Sequence, residues 1–366
     1  MIQQRNRNLD GLRGLSAIIV VFHHILLTNP AFSDAFYYGK TANLPTWILA
    51  FTPLRVLWDG PSAVAIFFML SAFVLTGLFP KVPSYKKYAL SRMARLYIPS
   101  IVVSAVAILA NLLMAGHFQK ATSGWLASVV PAVPVSPMQL MLSGVPGLYP
   151  LWSTRLEILF SLAIPLGVLL ATGARLRFSL PILLLTCGLG YLLTPWAPVF
   201  VLQLLRFGAV FFMGSLAYRF LQEGNTSPLK QRLDVGMQRA PRQTSWLLLV
   251  VGLLLSSAGW FVNGNVLLAA ALVPISSLGL VLVLIVVATS PVFAGFFGLR
   301  WLQWLGANSF SLYLIHGAVV YFWALLFGAG WLNGLGMLAL ALGFTWVVQR
   351  WVTDPAHQLA RQILRD

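Results

Sequence analysis

The chain has 366 residues, of which 59% are hydrophobic and only 9% are charged. About a quarter of the residues of a soluble globular domain are charged, so this composition excludes a soluble protein and predicts a surface that mostly faces lipid. The net charge of +16 would indicate nucleic-acid binding in a soluble protein. Here the basic residues lie in short stretches between apolar runs, so we attribute the charge to membrane topology. We expect the lipid bilayer, and no nucleic acid, as a partner.

The apolar runs predict an all-α fold. A membrane-spanning helix needs about 20 mostly apolar residues, and the breaks between the runs carry Pro, Gly, Asn or charged residues, as helix ends do. We predict a single membrane domain over residues 1–366. It is a polytopic bundle of about ten transmembrane helices, roughly at 10–27, 61–79, 98–116, 149–171, 178–194, 200–221, 245–262, 267–289, 308–327 and 334–353.

The basic residues predict the orientation of this bundle. With a cytoplasmic amino terminus, all but five of the 24 Lys and Arg residues fall on the inner side. The exceptions are Lys40, Arg55 and Lys120 outside, and Arg155 and Arg206 within spans. Because cytoplasmic segments are enriched in Lys and Arg, we predict that both termini are cytoplasmic. Alternatively, the basic start and first apolar run form a cleaved signal peptide, which would leave nine spans and spoil this distribution.

The segments outside the spans also carry predictions. Asp354-Pro355 has the residues of a helix N-cap followed by Pro at the first helical position. We therefore predict that residues 354–366 form a cytoplasmic amphipathic helix on the inner membrane surface. Residues 28–60 and 117–148 form two longer outer loops, and long loops at a membrane surface tend to be functional.

Ionisable residues inside spans are costly and therefore indicate function. Arg13 and His24 lie eleven residues apart in the first span, which is roughly 16 Å and close to three helical turns. They therefore share one helix face, with Arg13 at the cytoplasmic end and His24 toward the outer end. His24 could instead be a core histidine bonded to a backbone carbonyl.

Glu157 lies roughly 12 Å below the outer end of the fourth predicted span, a depth comparable to that of His24. If the two side chains meet, the carboxylate would fix the imidazole tautomer and stabilise its charged form. Glu157 could instead neutralise Arg155 or Arg206 inside the bundle. His316, in the ninth span, is expected to be structural.

The loop predicted after the second span, residues 81–95, contains five cations and two tyrosines. Arg92 and Arg95 are three residues apart on one helical face, which suits forked contacts to the oxygens of a polyphosphate. Positive-inside topology or anionic lipid binding would explain the same residues. The sequence shows no metal-ligating cluster and no phosphate-binding glycine loop, so we expect no bound metal.

Five motifs occur in order along the chain. They are LDGLRGLSA at 9–17 closing on His24, FFMLSAFVL at 67–75, RMARLYIP at 92–99, LWSTRLE at 151–157 and LGANSFSLYLIH at 305–316. Together they resemble the acyltransferase-3 family of integral membrane acyltransferases, over essentially the whole chain. That family carries an Arg, ten residues and then a His in its first span. One departure is Ala72, where the family usually has Gly.

The resemblance implies an acyl-CoA-dependent O-acyltransferase of the bacterial inner membrane. Acyl-CoA, with acetyl-CoA expected, would be a co-substrate rather than a permanently bound cofactor, and the acceptor a hydroxyl of a carbohydrate or glycolipid at the outer side. His24 and Glu157 would be catalytic, and Arg13, Arg92 and Arg95 would bind the donor. Supporting roles are expected for Ser71, Trp152, Ser153, Arg155, Arg206 and His316, with Ser71, Trp152 and Ser153 as candidate oxyanion donors.

In the expected mechanism, His24 takes the acceptor's proton as a general base, although an acyl-His intermediate is an alternative. A transporter or flippase for a polysaccharide precursor or acylated metabolite is the rival function, since polar groups within the membrane and a basic inner mouth also suit transport. A scaffold for polysaccharide assembly would need neither His24 nor Glu157.

Overall fold

The computed structural model describes residues 6–41, 43–82, 84–129, 142, 147–171, 176–222, 228–261 and 265–365, and no strand occurs among them. The helices are α1 (Arg7–Leu27), α2 (Pro30–Tyr38), α3 (Leu44–Phe51), α4 (Gly60–Leu78), α5 (Tyr85–Met114), α6 (Gly124–Val129), α7 (Leu151–Leu162), α8 (Ile164–Leu170), α9 (Leu176–Leu192), α10 (Val199–Gln222), α11 (Pro228–Arg239), α12 (Pro241–Ser256), α13 (Val266–Thr289), α14 (Ala294–Phe297), α15 (Arg300–Ala307), α16 (Ser309–Phe327), α17 (Trp331–Val348) and α18 (Asp354–Arg365).

The protein is a multi-pass integral membrane protein. Within the described ranges, eight helices are long and apolar enough to cross a membrane, and a ninth span results if α7 and α8 are counted together. Seven of the eight contain α1, α4, α5, α10, α12, α13 and α16, and the eighth is continuous from α17 to the end of α18. The all-α fold and the many spans predicted from the sequence are confirmed. The cytoplasmic location of both termini stays a prediction.

Two predicted spans differ from simple helices. The fourth, at 149–171, is broken between α7 and α8, which are bent by 62°. Pro165 stands in the first turn of α8, where its ring and missing N–H prevent α7 from continuing. The fifth, at 178–194, is an apolar helix over Phe178–Leu192, which is shorter than the other candidates.

Three local predictions are corrected. Most of the predicted loop at 81–95 is helical, because α5 begins at Tyr85 and runs unbroken into the span. The predicted outer loop at 28–60 contains α2, α3 and a 3-10 turn over Pro53–Leu57. Asp354 is not an N-cap: its backbone is helical, and a π-helical turn over Gln349–Thr353 joins α17 to α18. In the second predicted outer loop, 130–141 and 143–146 lie outside the described residues.

The described chain forms two compact units. Unit 1 contains residues up to Ser16, Pro61–Lys81 and Leu159–Ala307. In it α9, α10, α12 and α13 pack together, and α1 approaches α15 at glycines. A Cβ atom at Gly306 would overlap the carbonyl oxygen of Asp10, so only glycine allows this approach of the two backbones.

Unit 2 contains Ala17–Gly60, Val82–Ile158 and Asn308–Asp366. Here α16 packs on α17, and α18 packs on α5. A buried apolar cluster joins the end of α1 to the short helices α2, α3 and α6 and to α16, through residues that include Leu27, Phe32, Trp58, Trp125 and Tyr321. This cluster holds the short helices around the end of α1, which is the end that carries His24.

Candidate active site

His24 is buried in the last turn of α1. Thr122 and Ser123, just before α6, fix this end of the helix by donating their hydroxyls to the carbonyl oxygens of Thr28 and Leu27. The last carbonyls of a helix have no partner within the helix, so these two bonds satisfy them and attach α6 to α1. The His24 ring is consequently held in a fixed environment.

The hydrogen bonds of His24 define its tautomer. Among the described residues, Nδ1 makes both of them, at 3.0 Å to the carbonyl oxygen of Val20 and at 3.2 Å to Nε2 of His316. A carbonyl oxygen only accepts hydrogen bonds, so Nδ1 of His24 carries the proton and Nε2 of the neutral ring carries the lone pair. His24 therefore presents Nε2 as a base.

His316 is oriented to accept a hydrogen bond from Nδ1–H of His24. It is fully buried in α16, and its Nδ1 donates to the carbonyl oxygens of Tyr313 at 2.8 Å and Leu312 at 3.2 Å. By the same reasoning Nε2 of neutral His316 is an acceptor, which matches the Nδ1–H of His24. From the sequence we expected a carboxylate on this nitrogen and a structural role for His316, but the side chain that contacts Nδ1 of His24 is His316.

Trp125 and His23 lie beside the ring of His24. The ring centroid of Trp125 lies 5.5 Å from that of His24, and the ring of His23 lies 5.2 Å away. His23 donates through Nδ1 to the carbonyl oxygen of Trp58 at 2.9 Å, because a carbonyl can only accept. His23 therefore packs beside His24 and has a structural role.

Two buried charged residues, Arg55 and Asp59, lie near His23. The guanidinium of Arg55 stands over the ring of Phe36 at 5.3 Å. Burial lowers the pKa of Arg55, and the charge of Asp59 opposes that shift. Buried charges persist only when they are compensated, and Asp59 compensates Arg55 here. The contact of Arg55 with Phe36 joins the 3-10 turn to α2.

A polar cluster connects α16 to the start of α7. The hydroxyls of Tyr313 and Ser153 are 2.6 Å apart, and both approach the carbonyl oxygen of Pro150, at 3.2 Å and 2.9 Å. The two hydroxyl protons are used within this triangle, which argues against Ser153 as an oxyanion donor. Trp152 and Arg155, also on α7, are half-buried.

Glu157 forms an ion pair with Arg92. Its Oε1 lies 3.8 Å from a terminal guanidinium nitrogen of Arg92, and the two side chains are 28% and 11% exposed. The carboxylate of Glu157 also lies near Tyr313 and near the buried Tyr88 of α5. The His24–Glu157 pair expected from the sequence is thus replaced by two pairs, His24 with His316 and Glu157 with Arg92.

Three other predicted residues, Arg13, Ser71 and Arg206, lie in unit 1. Arg13 lines a cavity of about 390 Å³ together with Asp10, Asn6, Tyr218 and Gln222, among others. Ser71 is a half-buried residue of α4. Both lie in the unit that does not contain His24, so their expected roles stay predictions.

Arg206 is held by partners of its own in unit 1. Its guanidinium stacks over the ring of Tyr191 at 3.9 Å, and its Nε donates to the carbonyl oxygen of Gly190 at 2.8 Å. From the sequence we considered it as a counter-ion of Glu157, but these contacts give Arg206 a structural explanation.

Most of the chain matches a known protein family. The model of the acyltransferase domain family matches residues 6–350 of the chain, which is far more than half of its length. The chain belongs to the acyltransferase-3 family. No curated protein and no solved structure matches it. The resemblance seen in the sequence motifs is confirmed, and family membership identifies the protein as a membrane acyltransferase.

In this acyltransferase-3 protein, α18 begins at Asp354 and so lies beyond the matched residues. It packs on α5, and its His357 interacts electrostatically with Arg95, Arg361 and Arg92. The pair Arg92/Arg95 expected to bind phosphate is therefore accompanied by a third arginine. In the part of the chain that the structure describes, no group of three or more His, Cys, Asp or Glu residues could hold a metal ion.

Three residues of the site, Tyr313, His357 and Arg361, were not predicted from the sequence. Tyr313 had a signal, because it lies three residues before His316 and hence one helical turn away, inside a family motif. His357 and Arg361 are four residues apart and share a helix face, but only the packing of α18 on α5 brings them to Arg92 and Arg95.

Proposed function

We propose that this acyltransferase moves an acyl group, acetyl as the expected one, from acyl-CoA to a hydroxyl of a carbohydrate or glycolipid at the outer side of the bacterial inner membrane. The observation that carries the proposal is the tautomer of His24. Its Nδ1–H is held by Val20 and His316, so the basic Nε2 is the nitrogen available for a proton from the acceptor. The proposal is also supported by membership of the acyltransferase-3 family.

In the proposed reaction, Nε2 of His24 takes the hydroxyl proton while the acceptor oxygen attacks the thioester carbonyl carbon. The tetrahedral intermediate then collapses, the carbon–sulfur bond breaks, and the CoA thiolate takes the proton from His24. Atoms and charges balance, and His24 is returned neutral. Trp152 stays a proposed donor to the oxyanion, because the charge that develops in the transition state needs oriented donors; the role expected of Ser71 stays a prediction.

His316 has a positioning role in this proposal. When His24 becomes an imidazolium, its Nδ1–H turns into a charge-assisted donor, and such bonds are roughly twice as strong as neutral ones. The acceptor Nε2 of His316, 3.2 Å away, therefore stabilises the charged form more than the neutral form. That difference lowers the barrier, because only interactions stronger in the transition state accelerate the reaction.

The donor's phosphate groups are proposed to bind Arg92 and Arg95 on α5, and the donor-binding role expected of Arg13 stays a prediction. Guanidinium groups match phosphate oxygens with two parallel hydrogen bonds. Glu157 then acts through Arg92: by pairing with one guanidinium nitrogen it orients the remaining donors. This changes the role expected of Glu157 from orienting His24 to positioning Arg92.

The test uses inside-out membrane vesicles, acetyl-CoA labelled in the acetyl group, and two matched variants. His24→Asn keeps a donor where Nδ1–H stands but removes the basic nitrogen, whereas His23→Asn makes the same change at the neighbouring residue. General bases contribute about 10²- to 10⁴-fold, so His24→Asn should reduce CoA release and glycan labelling by that factor. His23→Asn should change the rate per folded protein by less than about threefold.

Three other results would contradict parts of the proposal. Normal turnover by His24→Asn would remove the general-base role while leaving the acyltransferase class intact. Equal losses in both variants would indicate a packing effect. No turnover by the unaltered protein, with a range of acyl donors and acceptors supplied, would contradict acyl transfer itself and favour transport.

A further inference from the structure

The tail helix α18 lies against the helix that carries the proposed donor-binding arginines. Ala356 and Ala360, four residues apart, are buried, and α18 packs on α5. Small side chains at this spacing let two helices approach closely along one face. The residues that flank this face of α18 are therefore held beside α5 rather than free to move in solvent.

Positive charge accumulates where the two helices meet. His357 interacts electrostatically with Arg95 and Arg92 of α5 and with Arg361 of its own helix, and with one carboxylate, Asp354. Asp354 accepts a hydrogen bond from the amide of Gln349 at 2.6 Å, and the carboxylate of Glu157 pairs with Arg92. Three guanidinium groups thus lie in the region where α18 packs on α5, and Arg95 and Arg361 are exposed.

A group of arginines of this kind, partly exposed, is suited to a multiply charged anion. Like charges that face one another repel, and the repulsion is relieved when a multiply charged group binds between them. Phosphate groups are the expected ligand, because several guanidinium groups can each give forked hydrogen bonds to their oxygens. The phosphates of CoA and the headgroup of an anionic lipid share this chemistry.

We propose that Arg361, with His357 beside it, completes the phosphate-binding site that Arg92 and Arg95 begin, and that the ligand is the phosphate groups of the acyl-CoA donor. The inference rests on the proposed function and deepens it. Because α18 begins after the last residue matched by the family model, the added contact comes from outside the family-matched part of this chain. The tail helix is then part of the donor site and not solely a surface anchor.

The experiment measures CoA binding by calorimetry to the full-length protein in nanodiscs of neutral phosphatidylcholine. Arg361→Gln is compared with Arg365→Gln, which makes the same charge change one turn later, at an exposed residue that is not among the electrostatic partners of His357. Loss of one exposed forked phosphate contact should weaken the Kd for CoA about tenfold in Arg361→Gln. Arg365→Gln should stay within about twofold of the unaltered protein.

The outcomes distinguish the two sources of phosphate and separate this inference from the proposed function. Equal CoA affinity in Arg361→Gln and the unaltered protein would overturn the inference while leaving the proposed function standing. In a parallel thermal-shift assay, phosphatidylglycerol is added to the unaltered protein and to Arg361→Gln. If Arg361→Gln binds CoA normally but loses the stabilisation that this lipid gives the unaltered protein, the cluster binds lipid headgroups and the donor assignment is overturned. Absence of CoA binding by the unaltered protein would instead overturn the proposed donor, and this inference with it.

Discussion

The hydrogen bond between His316 and His24 provides the sharpest test of the proposed chemistry. His316→Leu removes the acceptor from Nδ1–H of His24 and fills the space with an apolar side chain, while His316→Gln supplies an amide oxygen where Nε2 stands. We expect His316→Leu to lower kcat with little change in the KM for acetyl-CoA, because the bond strengthens only as His24 becomes charged. His316→Gln should recover much of the lost activity.

The magnitude follows from the two partners of Nδ1. A hydrogen bond to a charged group contributes about 1.5–3 kcal/mol, which corresponds to about 10- to 150-fold in rate. The carbonyl oxygen of Val20, at 3.0 Å from Nδ1, stays in place and keeps the ring oriented when His316 is replaced. The loss should therefore fall at the low end, about tenfold in kcat for His316→Leu.

The assay is the initial rate of CoA release from acetyl-CoA in membrane vesicles, normalised to folded protein, with thermal unfolding measured in parallel. An unchanged kcat for His316→Leu would refute the idea that His316 stabilises the charged form of His24. A loss of the same size in both variants would show that the shape of the buried side chain matters and the hydrogen bond does not.

Three further predictions test other contacts. Glu157→Gln should raise the KM for acetyl-CoA about fivefold, since a partly exposed ion pair contributes about 1 kcal/mol or less, and should leave kcat nearly unchanged; a large loss of kcat would instead support the orienting role toward His24. Gly306→Ala should lower the unfolding temperature through a backbone clash of about 1–3 kcal/mol. Its control, Gly343→Ala, should not, because a Cβ atom there would meet nothing within 4 Å; equal effects in a thermal-shift assay would contradict the close approach of α1 and α15. Arg206→Met should destabilise the protein by about 1–2 kcal/mol in the same assay, because the stacked contact with Tyr191 is lost. A loss of kcat without a change in stability would instead indicate that Arg206 acts in the active site.

The sequence predicted the membrane class well, and the reason is energetic. Apolar runs of spanning length are required because every backbone polar group must be satisfied within the bilayer, so α1, α4, α13 and α16 could be located closely. The sequence was a poorer guide to where a helix continues beyond its apolar spanning segment. Nothing in the composition of residues 81–95 indicates that α5 begins at Tyr85, because a charged amphipathic helix and a charged loop have similar composition.

The sequence by itself also determined which side chains are candidates for the chemistry. Ionisable residues are rare in spans because they are costly there. This rule selects His24 and Glu157 together with Arg155, Arg206 and His316, of which we expected His316 to be structural. Only the tertiary structure decided which of them meet. Depth along separate helices allowed His24 to pair with Glu157, but rotation and packing of the helices determine contact, and they bring His316 to His24 and Arg92 to Glu157. Local sequence specifies depth and chemistry, whereas the side-chain packing of residues far apart in the chain specifies partners.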